Sequence, residues 1–172
     1  MGSLKKGQFF EEGCWNGPQI SQLQVDRIDG MVKEAVKQGA KIACGGNKVD
    51  GPGYFYQNTI VTDVTDDMTI HKEEVFGPVQ NVYKYKDLDD AIHRANDHQY
   101  GLAAGLVSQD ITECMKGAEE LLAGQVFING WGNGNENSPF GGHRESGIGR
   151  ELGDEGLSGY LETSSVLINH SV

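Results

Sequence analysis

Leu102-Ala103-Ala104-Gly105-Leu106-Val107, the segment Asp110 to Leu122, and Gly124 followed by Gln125-Val126-Phe127-Ile128-Asn129 form the stretch that decides the fold. The first and last pieces are short apolar runs of strand length. Between them Asp110 stands where a helix N-cap belongs. Ile111, Met115, Ala118 and Leu122 then recur at three and four residues, which is one face of a helix. Gly124 ends that helix. Strand, amphipathic helix and strand in this order predict parallel pairing, because a parallel pair needs a long crossover.

The same alternation extends toward the N-terminus. Val25, Ile28, Val32 and Val36 share a predicted helix face, and Gly39 stops the helix. Lys41 to Cys44 reads as a short strand before the Gly45-Gly46 turn. Tyr54 to Val64 has the Tyr, Phe, Ile, Val and Thr content of a strand, and Gln80 to Tyr85 is a further strand candidate. Leu88 to Asn96 is a helix opened by Asp87 as N-cap. Arg150 to Tyr160 is expected to be helical, and Ser164 to Asn169 alternates as a terminal strand does. That last strand presents an edge suited to pairing in an oligomer. The expected architecture is α/β: a largely parallel sheet flanked by helices, with a C-terminal strand used in oligomerisation. No linker or repeat interrupts residues 1–172, so one domain is expected, with 1–13 loosely ordered.

Composition narrows the function. Hydrophobic residues make up 37% and charged residues 23% of the 172, an ordinary globular balance. The formal net charge of −11 argues against nucleic acid, whose phosphates attract clustered Lys and Arg. No run approaches the roughly 18 apolar residues of a membrane span, and no apolar run follows the first lysines as in a secretory signal. A cytoplasmic protein is expected. Cys14, Cys44 and Cys114 are widely spaced with no C-x-x-C pair, which argues against a zinc site or a disulfide framework. Cys44 and Cys114 read as packing residues.

The region from Gly130 to Gly159 is rich in glycine. After the strand Gln125 to Asn129 come Gly130, Gly132 and Gly134. Asn135 stands where the third glycine of G-x-G-x-x-G belongs, and after Gly147 and Gly149 the third place holds Leu152. There is no dinucleotide-binding fingerprint of that type. Glycine and the neighbouring Asn133, Asn135 and Asn137 tolerate tight turns. Such a loop either is buried by the fold or lines a cavity with amide and N–H donors.

Longer motifs carry a family likeness. Ser138-Pro139-Phe140-Gly141-Gly142-His143-Arg144-Glu145-Ser146-Gly147-Ile148-Gly149-Arg150-Glu151-Leu152-Gly153 is similar to the P-F-G-G-x-K-x-S-G-x-G-R-E-x-G pattern of aldehyde dehydrogenases. Lys72-Glu73-Glu74-Val75-Phe76-Gly77-Pro78-Val79 resembles their E-E-[IV]-F-G-P-V segment. Gly17-Pro18-Gln19-Ile20, Gly53-Tyr54-Phe55, Tyr100-Gly101-Leu102-Ala103-Ala104 and Val126-Phe127-Ile128-Asn129 match in the same order. The resemblance implies that Glu74 binds the nicotinamide ribose and that Phe76 lies by the nicotinamide. It also implies that Asn129 matches the asparagine closing the family's V-x-I-N-like strand and that Phe140 lies near the substrate tunnel.

Departures from the pattern are informative. The family's nucleophilic cysteine sits in a G-Q-x-C-like segment and its general base in an E-L-G-G-K-like segment, both upstream of the portion represented here. In Gly7-Gln8-Phe9-Phe10, phenylalanine stands where that cysteine would be. The family's nucleotide-binding domain also lies upstream. His143-Arg144 replaces an x-Lys pair. Trp131 to Asn137 is rich in glycine and asparagine where the family places aromatic substrate contacts, so Trp131, Asn133 and Phe140 are the candidate pocket residues.

Three functions are consistent with these residues. In the first, a repurposed enzyme works without a redox cofactor on a small carbonyl or imine substrate. Asn129 or loop N–H groups stabilise charge on oxygen, and Glu74 or His143 moves protons. In the second, an aldehyde-dehydrogenase-type partner supplies cysteine, base and nucleotide domain, and NAD(P) binds at Glu74 and Phe76. In the third, the chain is an interaction or regulatory module. A homo-oligomer is expected in each case, and no metal ligand set is read from the sequence.

Overall fold

The computed structural model describes residues 4–7 and 10–170. The chain divides into two compact units, 1–84 and 85–172. Part of the Gly7–Phe10 segment therefore lies outside the described residues.

The first unit is organised by helix α1, Gln22–Lys37. The Ser21 side chain accepts from the Gln24 N–H and closes the first turn. At the other end Gly39 takes φ 110°, and the N–H groups of Gly39 and Ala40 return to the Val36 and Ala35 carbonyls. Val25, Ile28, Met31, Val32 and Ala35 point into the core. The predicted face is thus displaced at its last position. Ala35 occupies the buried place and Val36 is 47% exposed, because 3.6 residues per turn carries the stripe from 32 to 35 as readily as to 36.

Against that face lies a three-stranded sheet: β1 (Lys41–Cys44), β2 (Thr59–Thr62) and β3 (Val79–Asn81). β1 runs antiparallel to β2 with a bulge between Ile42 and Cys44, and β2 runs parallel to β3. The expected strand Tyr54–Val64 is shorter than its composition suggests. Buried Tyr56 makes only an isolated bridge to Lys48 before β2 begins. Helix α2 (Thr69–Lys72) is held to the end of α1 by a reciprocal pair. The Gln38 amide donates to Thr69 Oγ1 at 3.2 Å and accepts from the Thr69 N–H at 3.1 Å.

The second unit contains α3 (Leu88–Asn96), β4 (Ala103–Leu106), α4 (Ile111–Glu120) and β5 (Gln125–Ile128). Asp87 and Asp110 cap α3 and α4 as expected, accepting from the Asp90 and Thr112 N–H groups. β4 and β5 pair in parallel, Ala103 opposite Gln125 through Leu106 opposite Ile128, with α4 as the crossover. The buried face of α4 is not the predicted one. Cys114, Gly117 and Leu121 face inward, whereas Ile111, Met115 and Leu122 are exposed. The reason is steric. A Cβ on Gly117 would lie 2.7 Å from Leu106 Cδ1, so the helix rests on β4 through its smallest residue. Cys114 is buried as its reading as a packing residue expects, but a count of apolar residues gives Gly117 no weight.

Two further expectations are corrected. Residues 161–170 are exposed and form no strand, because an alternating sequence becomes a strand only beside a ladder partner and no described strand lies next to it. The helix expected over Arg150–Tyr160 is reduced to a 3-10 turn, Glu155–Tyr160. Leu152 and Gly153 take left-handed φ values of 61° and 55° and interrupt it.

Candidate functional site

In the first unit the candidate residues lie on the turn from Glu73 to Gly77, between α2 and β3. Val75 is buried in the core, which anchors the turn, while Glu74 and Phe76 are exposed. Phe76 has φ 53°, a left-handed conformation that a bulky side chain adopts only when its surroundings enforce it. The enforcing groups come from α1. Gln24 Nε2 donates to the Phe76 carbonyl at 2.8 Å and to the Val75 carbonyl at 3.2 Å, and Arg27 Nη1 donates to the Val75 carbonyl at 3.2 Å. The Arg27 guanidinium also stands 3.7 Å from the Glu73 carboxylate. Glu74 has no such tie. Its carboxylate is exposed and without a protein partner among the described residues.

Gln24 and Arg27 were not among the residues singled out from the sequence. Their signal was slight: two long polar side chains three apart on a helix, beside the apolar stripe that begins at Val25.

In the second unit Asn129 ends β5 with φ 54°. Its Oδ1 accepts from the Ser108 N–H at 2.9 Å, joining the end of β5 to the loop after β4, and its Nδ2 lies 3.9 Å from the Cys114 sulfur. The amide is therefore oriented by its oxygen, and its nitrogen has only a weak sulfur acceptor. Trp131 is exposed and leans on Phe127, with ring centroids 5.3 Å apart. Asn133 is exposed in the loop that follows. Phe140 pairs with Glu151 through two backbone bonds of 2.7 Å, so the glycine-rich segment closes on itself as a small hairpin-like loop. His143 is exposed, and its N–H donates to the Gly101 carbonyl at 2.8 Å.

This loop is built, not slack. Arg150 Nη1 donates to the Gly142 and Gly149 carbonyls at 2.7 and 2.8 Å. Arg144, at φ 53°, donates through Nη1 to the Asn96 carbonyl at 2.6 Å and to the His98 carbonyl. The Ser146 hydroxyl accepts from the Gly101 N–H at 3.0 Å. Gly124 admits the Gly141 carbonyl at a distance that no side chain would allow. The structure thus places Asn129, Trp131 and Asn133 at and just after the end of β5. Phe140 and His143 lie instead toward the start of the β4–β5 pair, where Gln125 Nε2 donates to the Pro139 carbonyl and the His143 N–H to the Gly101 carbonyl. Glu74 and Phe76 lie together on the turn of the first unit. Among the described residues no group of three His, Cys, Asp or Glu is arranged to hold a metal ion. No helix among them is long and apolar enough to cross a membrane.

The parallel βαβ unit, the stitched P-F-G-G loop and the strained Phe76 beside Glu74 fall on the motifs that carry the family likeness. The comparisons agree. Residues 1–166 match the pattern described as the aldehyde dehydrogenase family, and the chain belongs to that family. It is 45% identical over 162 residues to an aldehyde dehydrogenase of Aspergillus niger, covering 94% of this chain and 33% of that protein. It is 46% identical to a mitochondrial aldehyde dehydrogenase of Leishmania tarentolae, covering 94% and 32%. Among solved structures, the NAD+ complex of an aldehyde dehydrogenase from Bacillus cereus superposes with a TM-score of 0.92 at 43% identity, covering 98% of this chain and 34% of that one. The chain spans about a third of the length of the relatives it matches.

Proposed function

We propose that the chain forms the part of an NAD(P)-dependent aldehyde dehydrogenase that receives the nicotinamide ribose and borders the aldehyde's approach. The observation that carries this reading is the Glu73–Gly77 turn, where the backbone is held in a strained conformation while the Glu74 carboxylate and Phe76 ring stay exposed. The donor set fits the group. A carboxylate has two oxygens able to accept from adjacent ribose hydroxyls, and an aromatic face shields a planar heterocycle from water. When bound, NAD(P) would supply the hydride acceptor.

The chain's own residues then orient and exclude. Glu74 fixes the ribose, and Phe76 keeps water from the ring beside it. In the second unit the Asn129 amide, already oriented by Ser108, donates to an aldehyde oxygen as charge develops there. Trp131, Asn133 and Phe140 border the substrate. The thiol nucleophile and its base belong to the motifs that the resemblance places upstream, carried on the same polypeptide or on a partner.

The test combines this chain with the first two thirds of the Aspergillus niger relative and follows reduction of NAD+ by an aldehyde. Turnover only in the mixture, with a Glu74→Gln variant that raises KM for NAD+ about tenfold or more, supports the reading. An assembled mixture that neither binds nor reduces NAD(P) overturns it. A second reading, cofactor-independent chemistry on a carbonyl or imine, is favoured by the exposed His143 at the loop end. It requires a reaction of the chain alone that is abolished when Glu74, Asn129 and His143 are replaced together.

A further inference from the structure

We propose that Asn133 is a self-modifying residue, converted to aspartate and isoaspartate by attack of the next backbone nitrogen, and that the fold selects it from three Asn-Gly pairs. Asn-Gly is the dipeptide in which that attack is least hindered, because glycine puts no Cβ beside the nitrogen and leaves the backbone free. The chain holds the pair at Asn16-Gly17, Asn129-Gly130 and Asn133-Gly134. The first two are tied down. The Asn16 carbonyl accepts from the Gly7 N–H at 3.2 Å and from the Cys14 thiol at 3.3 Å, which fixes the peptide plane carrying the Gly17 nitrogen. At Asn129 it is the side chain that is fixed. Its Oδ1 accepts from the Ser108 N–H at 2.9 Å, and its own N–H donates to the Leu106 carbonyl at 2.9 Å.

Asn133-Gly134 has neither kind of tie. Both residues are exposed, and among the described residues no hydrogen bond engages the Asn133 amide, its carbonyl or the Gly134 N–H. A Cβ added to Gly134 would meet nothing within 4 Å, so the backbone there has room to turn its nitrogen toward Asn133 Cγ. The next two asparagines lack that freedom. Asn135 Oδ1 accepts from the Asn137 N–H at 2.9 Å, and the Ser138 N–H that would attack Asn137 donates to the Asn135 carbonyl at 3.0 Å. At Asn133, base removes the Gly134 amide proton, the nitrogen bonds to Cγ, and the Cγ–Nδ2 bond breaks to release ammonia. Water then opens the resulting succinimide at either carbonyl, leaving aspartate or isoaspartate. Nothing is oxidised or reduced. The product adds a negative charge to the loop two residues after Trp131, and the isoaspartyl form lengthens the main chain there by one carbon.

The experiment incubates the 172-residue chain in mildly alkaline buffer, folded and in guanidinium chloride, and follows each site by peptide mass spectrometry. Each conversion adds about one mass unit. Trypsin separates Asn16 from the peptide Gly117 to Arg144, and fragmentation of that peptide resolves Asn129 from Asn133. Each site is referred to its own rate in denaturant, which removes the influence of the neighbouring residue types. Folding should slow Asn16 and Asn129 about tenfold or more, and Asn133 by less than about threefold. Gly134→Ala, which the open position admits without strain, should slow Asn133 about tenfold or more in both states while leaving the other two sites unchanged. Folded-to-unfolded ratios that are alike at the three sites overturn the proposal, because the fold would then select none of them. So does a folded chain in which Asn133 is protected as strongly as Asn129. A Gly134→Ala variant converting at the wild-type rate also overturns it, since the Gly134 nitrogen would then not be the attacking group.

Discussion

Ile28 fills the space in which Gly77 has no side chain: a Cβ built on Gly77 would lie 2.4 Å from Ile28 Cδ1 and 2.7 Å from its Cγ1. Ile28 is fully buried and has no free rotation with which to yield. Gly77→Ala should therefore destabilise the first unit by about 1–3 kcal/mol through overpacking. In an Ile28→Val background, which removes the closest atom, the same substitution should cost measurably less. Urea unfolding of the four members of this cycle gives the coupling, and a cost for Gly77→Ala that is identical in both backgrounds would contradict the contact.

A harsher outcome is expected at Gly124. A Cβ there would meet the backbone oxygen and carbon of Gly141, at 1.7 Å and 2.7 Å. Backbone cannot step aside as a side-chain end can, so Gly124→Ala must push the P-F-G-G loop off the end of α4. A loss of more than about 3 kcal/mol, or failure of the second unit to fold, follows. Gly149 provides the contrast, since it has negative φ and nothing within 4 Å of an added Cβ. Gly149→Ala should be neutral or stabilising by up to about 1 kcal/mol, because it only restricts the unfolded chain. Thermal midpoints of the two variants separate these cases.

These glycines also show where the sequence was readable and where it was not. Caps and stops were legible because their chemistry is local. Ser or Asp beside a helix start, and Gly39 after its end, act within one turn of the chain. The parallel β4–α4–β5 unit was legible from strand length and order alone. The buried face of α4 was not, because Gly117 matters through what it lacks, and that becomes visible only beside Leu106. The terminal strand failed for the converse reason: alternation at Ser164–Asn169 is local, but a strand is a property of two segments. At the candidate site, the family resemblance singled out Glu74, Phe76, Asn129 and Phe140. Gln24 and Arg27 escaped notice because they lie about 50 residues from the carbonyls they hold.

Arg144 is expected to matter as a tie. Its guanidinium bridges the Asn96 and His98 carbonyls at the end of α3, and its backbone holds φ 53°. Arg144→Ala should lower stability by on the order of 1 kcal/mol, and Arg144→Lys should recover only part, since both donations come from Nη1 and the lysine ammonium ends one bond short of that position. Hydrogen exchange should report the loss at Asp97, whose N–H donates to the His93 carbonyl, and at Glu145, whose N–H donates to the Gln99 carbonyl. An Arg144→Lys variant indistinguishable from wild type in both measurements would show that only the charge counts.

Acid should remove a defined part of the first unit's stability. A hydrogen bond from Lys48, and a second from Gln22, hold the Asp26 carboxyl below its usual range, and Lys41 does the same to Asp63 at 2.9 Å. Each group titrates lower in the folded state than in the unfolded chain, where an aspartate sits near about 4. Its contribution is therefore present above the unfolded value and disappears as pH falls through the folded one, because the unfolded state takes up protons first. Both carboxylates are about half exposed, so the effect should be small and sensitive to salt. The thermal midpoint, followed from about pH 7 to about pH 2, should fall less steeply in Asp26→Asn/Asp63→Asn than in the wild type. Salt on the order of 0.5 M should bring the two curves together by screening the ion pairs. Parallel curves at low salt would mean that neither lysine pair contributes to the acid limb.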